Sequence, residues 1–409
     1  MKYPELLIPA SNLEVLKIAV NFGADAVYIG GEAFGLRAKA KNFSKDDMKA
    51  GIKFAHEHNV KVYITANIIA HNCDLDGVRK YFEELKEEIN PDAVIISDPG
   101  IFTIAKEVLG DMEIHISTQA NNTNYMTYQF WHKLGAKRVV SARELSLEEI
   151  KEIRENIPDD LEIESFVHGA MCISYSGRCL LSNFFTGRDG NQGACTHPCR
   201  WKYSVVEEKR PGEYFPVYEN DRGTYIFNSK DLCMIEHIPE ILNSGIDSLK
   251  IEGRMKTALY VATVARTYRK AIDDYIESPD KYQANLPWYI AEIGKCTYRQ
   301  FTTGFFFGKP TNETQIYDSN TYIKEYTYLG IVDIKNEEGL YQIEQRNKFS
   351  VGDKIEVMKP NCSNVEVVVK RIVDEEGADV ESAPHPKQKL FIDIGIELEQ
   401  YDILRVKED

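Results

Sequence analysis

The sequence predicts an α/β protein built on a (β/α)8 TIM-like barrel, with a cysteine-bearing insertion and a small C-terminal all-β domain. Three observations carry this. Short β-branched runs alternate with helical stretches, the pattern of βα units in a parallel sheet. There are eight such runs, which lets a barrel close without a leftover strand. Beyond Tyr322 the alternation gives way to short strands and tight turns. A doubly wound open sheet is the competing architecture. At 409 residues the chain is longer than one hydrophobic core usually serves, so two domains are expected.

The runs are "ELLIPA" from Glu5, "DAVYIG" from Asp25, "KVYITA" from Lys61, "DAVIIS" from Asp92, "EIHIST" from Glu113, "KRVVSA" from Lys137, "EIESFV" from Glu162 and "DSLKIEG" from Asp247. Several follow a glycine, as in "FGADAV", "LGAKRVV" and "SGIDSL", where a left-handed residue ends the preceding helix. The seventh and eighth runs lie about eighty residues apart, far beyond a usual βα connection, and so long an insertion points to function. Within it "RWKYSVVEEKR" and "GTYIFNSKDL" read as paired strands, and Ser229 as the cap of a following helix that begins near Cys233. The expected domains are 1–280 for the barrel, with the insertion at about 168–235, then a linker over 281–321 and a small β-barrel over 322–409.

The N-terminus lacks the uninterrupted apolar region of a signal peptide, and no window holds eighteen apolar residues in a row. A cytoplasmic protein without a membrane span is expected. Its eight cysteines then face a reducing compartment, where clustered thiols bind metal or do redox chemistry more often than they form disulfides. The net charge of −15 repels polyanions, so nucleic-acid binding requires a local basic patch.

Cys172, Cys179, Cys195 and Cys199 are spaced C-x6-C-x15-C-x3-C, and Cys233 follows farther on. The wide first interval fits a zinc knuckle poorly, whereas four soft thiolates on separate loops also suit an iron-sulfur cluster. Spacing leaves cluster and structural zinc both open. Cys73, Cys296 and Cys362 stand isolated and read as small buried hydrophobes.

Polar residues at the predicted C-terminal strand ends converge on the barrel mouth: Asn67, Asp98, Gln119, Asn121, Arg143, Glu144, His168, Lys250, Glu252 and Arg254. The alternative for each charged one is a structural ion pair, such as Arg143 with Glu144 or Glu252 with Arg254. His168 is a candidate proton donor or a partner to sulfur, Gln119 and Glu252 are further catalytic candidates, and Arg37, Lys39 and Lys41 in "GLRAKAKNF" are candidate phosphate contacts. The aromatics of "FTTGFFF" either stack on an unpaired base or pack between the domains.

Glu164, Phe166, Gly169, Ala170, Cys172, Gly177, Cys179 and Ser182, in "ESFVHGAMCISYSGRCLLS", resemble the signature of the collagenase-like peptidases of unassigned catalytic type. "LRAKAKNFS", "NQGACTHPCRW", "NSKDLC", "KIEGRMK" and "FTTGFFFGKP" extend the resemblance over nearly the whole chain, and it is strongest to the tRNA hydroxylation subgroup. The resemblance implies oxygen-independent hydroxylation of tRNA wobble uridine at carbon 5, with a [4Fe-4S] cluster, prephenate as co-substrate, tRNA as partner and, in some members, a paralogous subunit. Carried over by position, the cluster ligands are Cys172, Cys179, Cys195 and Cys233, with Cys199 as the alternative fourth. Arg143, Arg254, Lys250 and Arg37 become the substrate-binding residues, the arginine forks suiting a dicarboxylate.

Two other functions compete. A peptidase needs an activated nucleophile or a metal-held water, and neither a G-x-S-x-G elbow nor an H-E-x-x-H helix is present. A non-catalytic zinc-binding scaffold or RNA-binding protein is the other.

Overall fold

The computed structural model describes residues 3–31, 33–35, 42–172, 174–201, 204–206, 214–216, 229–309 and 323–408. The chain divides into two compact units. One comprises Met1–Val20, Ala24–Lys256 and Arg299–Thr321, the other Asn21–Gly23, Thr257–Tyr298 and Tyr322–Asp409.

In the first unit the strands are β1 (Glu5–Pro9), β2 (Ala26–Gly30), β3 (Lys61–Ala66), β4 (Ala93–Ile96), β5 (Glu113–Ile116), β6 (Arg138–Val140) and β7 (Glu162–Ala170). After them come β8 (Ser204–Val206), β9 (Tyr214–Pro216), β10 (Asp231–Cys233) and β11 (Ser248–Ile251). Strands β1 to β7 pair in parallel in sequence order, and β11 closes the ring by pairing with both β7 and β1. These eight are the eight runs expected from sequence. Their Val and Ile content follows from burial on both faces, because helices cover the outside of a parallel barrel and side chains fill its inside.

Helices α1 (Leu13–Asn21), α2 (Lys45–Glu57), α3 (Leu75–Glu84), α4 (Pro99–Val108), α5 (Tyr125–Lys133) and α6 (Leu147–Glu155) connect the first seven strands. Ser44, Asp98, Asn124 and Ser146 each accept a hydrogen bond from a backbone N–H of the first turn they cap. Gly23, Gly135 and Gly245 have positive φ, so the glycines before β2, β6 and β11 end their helices as expected.

The barrel interior is apolar around Leu7, Tyr28, Tyr63 and Ile95, but a polar ladder runs through it. Lys250 Nζ donates to Glu164 Oε1 at 2.6 Å. Arg138 Nη1 donates to Glu164 Oε2 at 3.0 Å and to Glu5 Oε1 at 2.5 Å, and its Nε donates to Glu162 at 2.8 Å. Tyr63 Oη donates to Glu5 Oε2 at 2.6 Å. Three carboxylates thus surround the one guanidinium, which burial would discharge but Glu5 and Glu164 hold firmly protonated.

β7 is the longest barrel strand and outruns its neighbours. Its end pairs antiparallel with β10, Ala170 opposite Asp231 and His168 opposite Cys233, and β12 (Phe301–Thr302) adds parallel to β10. Gly169, at φ +109°, permits this: a Cβ there would stand 2.5 Å from the Glu252 carbonyl oxygen. Arg299 pins β10 through Nη2 and Nε to Asp231 Oδ1 at 2.6 and 3.0 Å. Cys233 is therefore on a strand, and the helix expected after Ser229 starts only at α8 (Ile238–Leu242), following α7 (Leu181–Thr186) in the insertion. β8 pairs with β9, and most of "GTYIFNSKDL" lies outside the described residues.

The "FTTGFFF" run belongs to the barrel unit. Phe301 packs against His168, buried Phe306 accepts the Leu147 N–H through its carbonyl, and exposed Phe307 lies against His237.

In the second unit, α9 (Ala258–Glu277) and α10 (Pro279–Ile293) precede the antiparallel strands β13 (Tyr326–Lys335) to β21 (Ile403–Lys407). Seven of these strands form one sheet over a core of Leu329, Ile343, Val357, Leu390 and Leu404. Of the residues expected as linker, 281–293 are helical, within α10. Glu292 of α10 accepts from Arg266 of α9 at 2.5 Å and from Arg405 of β21 at 2.6 Å, all three fully buried, and this ties the helices to the sheet. Among the described residues no helix is long and apolar enough to cross a membrane.

Candidate functional site

Immediately after β7 the chain leaves the barrel rim as a segment that carries four thiols. Asn121, which follows a short 3-10 turn after β5, holds this segment from both sides: its Nδ2 donates to the Ser176 carbonyl at 2.9 Å and its Oδ1 accepts from Arg178 Nε at 2.7 Å. Asn191 Nδ2 donates to the Cys179 carbonyl at 3.2 Å, Thr196 N to Ser182 Oγ at 3.0 Å, and His197 N to Cys195 Sγ at 3.4 Å. These bonds fold the segment around a cavity of about 320 Å³ whose wall includes Cys172, Cys179, Cys195 and Cys199. Cys233 stands on β10, half-buried, opposite His168. All eight cysteines are free thiols, and Cys73, expected to be buried, is exposed in a short 3-10 turn because no apolar face covers it there.

Beneath lies a second, smaller cavity of about 120 Å³ in the barrel mouth, lined by Asn67, Arg254, Lys250, Tyr28, Thr65 and Phe166 among others. Gln119, Arg143, Ser176 and Glu252 belong to both walls. Two atoms in this shared wall are buried without a hydrogen-bond partner among the described residues, Gln119 Oε1 and Arg143 Nε. Such groups ordinarily find a partner in protein, water or ligand.

Arg143 is held by its Nη1 bond to the Ala170 carbonyl, 2.5 Å, and by stacking 3.9 Å over the Phe166 ring. It forms no ion pair with Glu144, whose carboxyl burial raises above the ordinary range. Arg254 Nη1 donates to Thr65 Oγ1 at 2.7 Å. Burial pushes the Lys250 ammonium below its ordinary range against the pull of Glu164. Arg143, Arg254, Glu252 and Lys250, the last already paired with Glu164, thus meet in a chamber of a few water volumes.

Of the residues expected at the barrel mouth, the structure brings Asn67, Gln119, Arg143, Lys250, Glu252 and Arg254 together. Asn121 is a tether, and Asp98 is the cap of α4, so neither lines a cavity. His168 is buried against Phe301 outside both cavity walls; burial lowers its pKa to about 4 despite nearby Asp231, and the ring is neutral at pH 7. Arg37, Lys39 and Lys41 lie outside the described residues. Sequence reasoning missed Ser176 and Arg188 in the upper wall and Thr65 in the lower; the position of Ser176 and Arg188 between cysteines was the available signal.

A (β/α)8 barrel with a thiol-lined cavity stacked on a cationic chamber is the class of protein this geometry defines. The chain belongs to peptidase family U32: the family's main domain matches residues 11–316 and its C-terminal domain residues 324–405. It is 42% identical over 388 residues to tRNA hydroxylation protein P1 of Bacillus subtilis, covering 95% of this chain and 91% of that one. It is 36% identical over 438 residues to tRNA hydroxylation protein P of Escherichia coli, covering 97% and 95%. Among solved structures, the U32 peptidase Mk0906 aligns over 62% of this chain and 94% of its own, with 15% identity and a TM-score of 0.41.

Proposed function

We propose that this protein hydroxylates an RNA base, the wobble uridine of tRNA at carbon 5, using a [4Fe-4S] cluster and prephenate as the oxygen source. The observation that carries the reading is the stacking of the two cavities through the shared wall of Gln119, Arg143, Ser176 and Glu252. The names of the relatives support RNA hydroxylation as the chemistry.

The thiols suit a cluster better than a single ion. Among the described residues no three His, Cys, Asp or Glu side chains stand close enough to share one metal ion, whereas several thiols surround a common cavity. Cys172, Cys179 and Cys195 with Cys233 are the proposed ligands, and Cys199 is the alternative fourth. A bound cluster supplies single-electron redox capacity next to the shared wall.

The remaining steps fall to the chain's own side chains. Arg143, Arg254 and Lys250 bind the carboxylates of the co-substrate, and Asn67 adds a neutral polar contact. Gln119 Oε1 accepts a hydrogen bond from a hydroxyl of that ligand, and Arg143 Nε donates one to it, which removes both orphans at once. Glu252 is the one carboxylate in both walls and is positioned to take or return a proton between the chambers. His168, buried and neutral, serves as packing for the β7 end.

The test is iron and acid-labile sulfide content with a visible spectrum, on anaerobically purified protein and on Cys172→Ala, followed by nucleoside analysis of tRNA incubated with and without prephenate. About four irons per chain, lost in the variant, together with prephenate-dependent hydroxyuridine, is the expected result. Zinc, no metal, or peptide cleavage that survives Cys172→Ala would overturn it.

A further inference from the structure

We propose that the outer face of the thiol-bearing segment is a stacking platform for unpaired bases of the RNA substrate. This rests on the RNA-hydroxylation reading and adds the surface that reading lacks. Phe184 and Phe185 lie on α7, the helix whose Ser182 lines the thiol cavity. Phe184 is 82% exposed, and Phe185 and Trp201 are about half exposed. The three rings form one cluster: Phe184 meets Phe185 edge-on at 5.2 Å between centroids, and Phe185 meets Trp201 at 6.3 Å. Tyr175, also exposed, is part of the cavity wall itself.

Rings so exposed and so grouped, on the helix and turn whose Ser182 and Cys199 line a cavity, mark an interaction surface. Charge selects the occupant. Between Cys172 and Lys202 the sequence holds Arg178, Arg188, Arg200 and Lys202 against the single acid Asp189, in a chain whose net charge is −15. Of these cations Arg178 and Arg188 are exposed, and Arg188 lines the cavity. A basic, aromatic surface on an acidic protein is complementary to a polyanion with free π-faces. A single-stranded RNA loop offers both, since its bases stack on aromatic side chains while arginines meet its phosphates. A paired duplex hides its bases and lacks the second property.

The test uses the full-length protein and two labelled RNAs, a stem-loop with an unpaired loop and the fully paired duplex of the same sequence. Fluorescence anisotropy is read against salt, with iron content and gel-filtration size measured on each variant. The expected result is that Phe184→Ala with Phe185→Ala weakens loop binding about tenfold, as the loss of one or two stacked bases does, and leaves duplex binding, iron content and size unchanged. Trp201→Phe and Phe184→Tyr, which keep a ring, retain affinity for the loop, and Arg188→Gln lowers the salt dependence. Loop affinity unchanged by the double alanine variant would overturn the proposal. So would an equal loss in the ring-keeping variants, or a changed gel-filtration size with RNA affinity intact, which would make the patch a protein interface. The two readings fail separately. RNA held by the rings with no hydroxylated nucleoside sinks the hydroxylation reading alone, and hydroxylation that survives the double alanine variant with full RNA affinity sinks the platform alone.

Discussion

Lys250 Nζ donates to Glu164 Oε1 at 2.6 Å, and the other oxygen of the same carboxylate accepts from Arg138 at 3.0 Å. One buried carboxylate therefore compensates two buried cations, one at the chamber floor and one deep in the barrel. Burial alone would raise the Glu164 pKa, and the charges of Lys250 and Arg138 reverse that, holding it below the ordinary carboxylate range. Glu164→Gln removes the shared counter-charge, and the expected loss is about 3–5 kcal/mol in the unfolding transition of the barrel. Lys250→Met costs less, because Arg138 still neutralises Glu164. In a double-mutant cycle by urea unfolding, the combined variant should lose less than the two single losses together. Strict additivity would show that the contact does not couple them.

The eight strands were readable because each is a short apolar run buried on both faces, and because glycine, serine and aspartate mark the helix ends locally. The site was only partly readable. Asp98 stands before Pro99, and that local N-cap signal outweighs its position at a strand end. Cys233 was expected in a helix because the segment around Ser229 reads as a cap, but the strand there is fixed by Arg299, sixty-eight residues away. No local pattern contains that pairing. The residues of the shared wall come from the ends of β5 and β6, the loop after β7 and the end of β11, so their meeting is a consequence of barrel closure rather than of any motif.

In the proposed function, Gln119 and Arg143 are the specific handles on the anionic ligand. Arg143→Lys keeps the charge but loses the planar fork over Phe166 and the bond to Ala170. The expected effect is a rise of about tenfold in KM for the anionic co-substrate with iron content unchanged. Gln119→Ala removes the acceptor proposed to meet the ligand and should raise the same KM by a similar factor. Titration of ligand binding by calorimetry separates this from a loss of turnover. An unchanged KM in both variants would remove the shared wall from the binding site.

Acid should weaken the barrel through Glu5. Burial raises the carboxyl's pKa, but the charge and hydrogen bonds of Arg138, with Tyr63, lower it to about 2 from 4.5. A group whose folded pKa is depressed stabilises the fold above its unfolded value and loses that contribution as pH falls. Its share, roughly 3 kcal/mol, is thus fully present above about pH 4.5 and disappears between there and pH 2. Glu5→Gln has no carboxyl to titrate, so the difference in stability between wild type and variant should shrink through that window. Melting temperatures from pH 7 to 3 measure it, and a difference that stays constant across the range would show that Glu5 is not held low.

The fourth thiol is open to a direct measurement. Cys172, Cys179 and Cys195 lie on the segment tethered by Asn121 and Asn191, so each single alanine variant should lose most of its iron. Cys199 and Cys233 differ in how they are held. Cys199 sits in a short turn after Pro198 in the cavity wall, while Cys233 is fixed on β10 by the pairing with β7 and by the Asp231 to Arg299 bonds. A ligand on a strand anchored at both ends is positioned before metal arrives, which favours tight binding. The expected outcome is that Cys233→Ala abolishes the visible absorption and Cys199→Ala keeps it. Cys233→Ser, with an oxygen donor in the same place, should retain part of the iron with a shifted spectrum. Full iron in Cys233→Ala together with loss in Cys199→Ala would reverse the assignment and move the metal wholly into the loop-borne cavity.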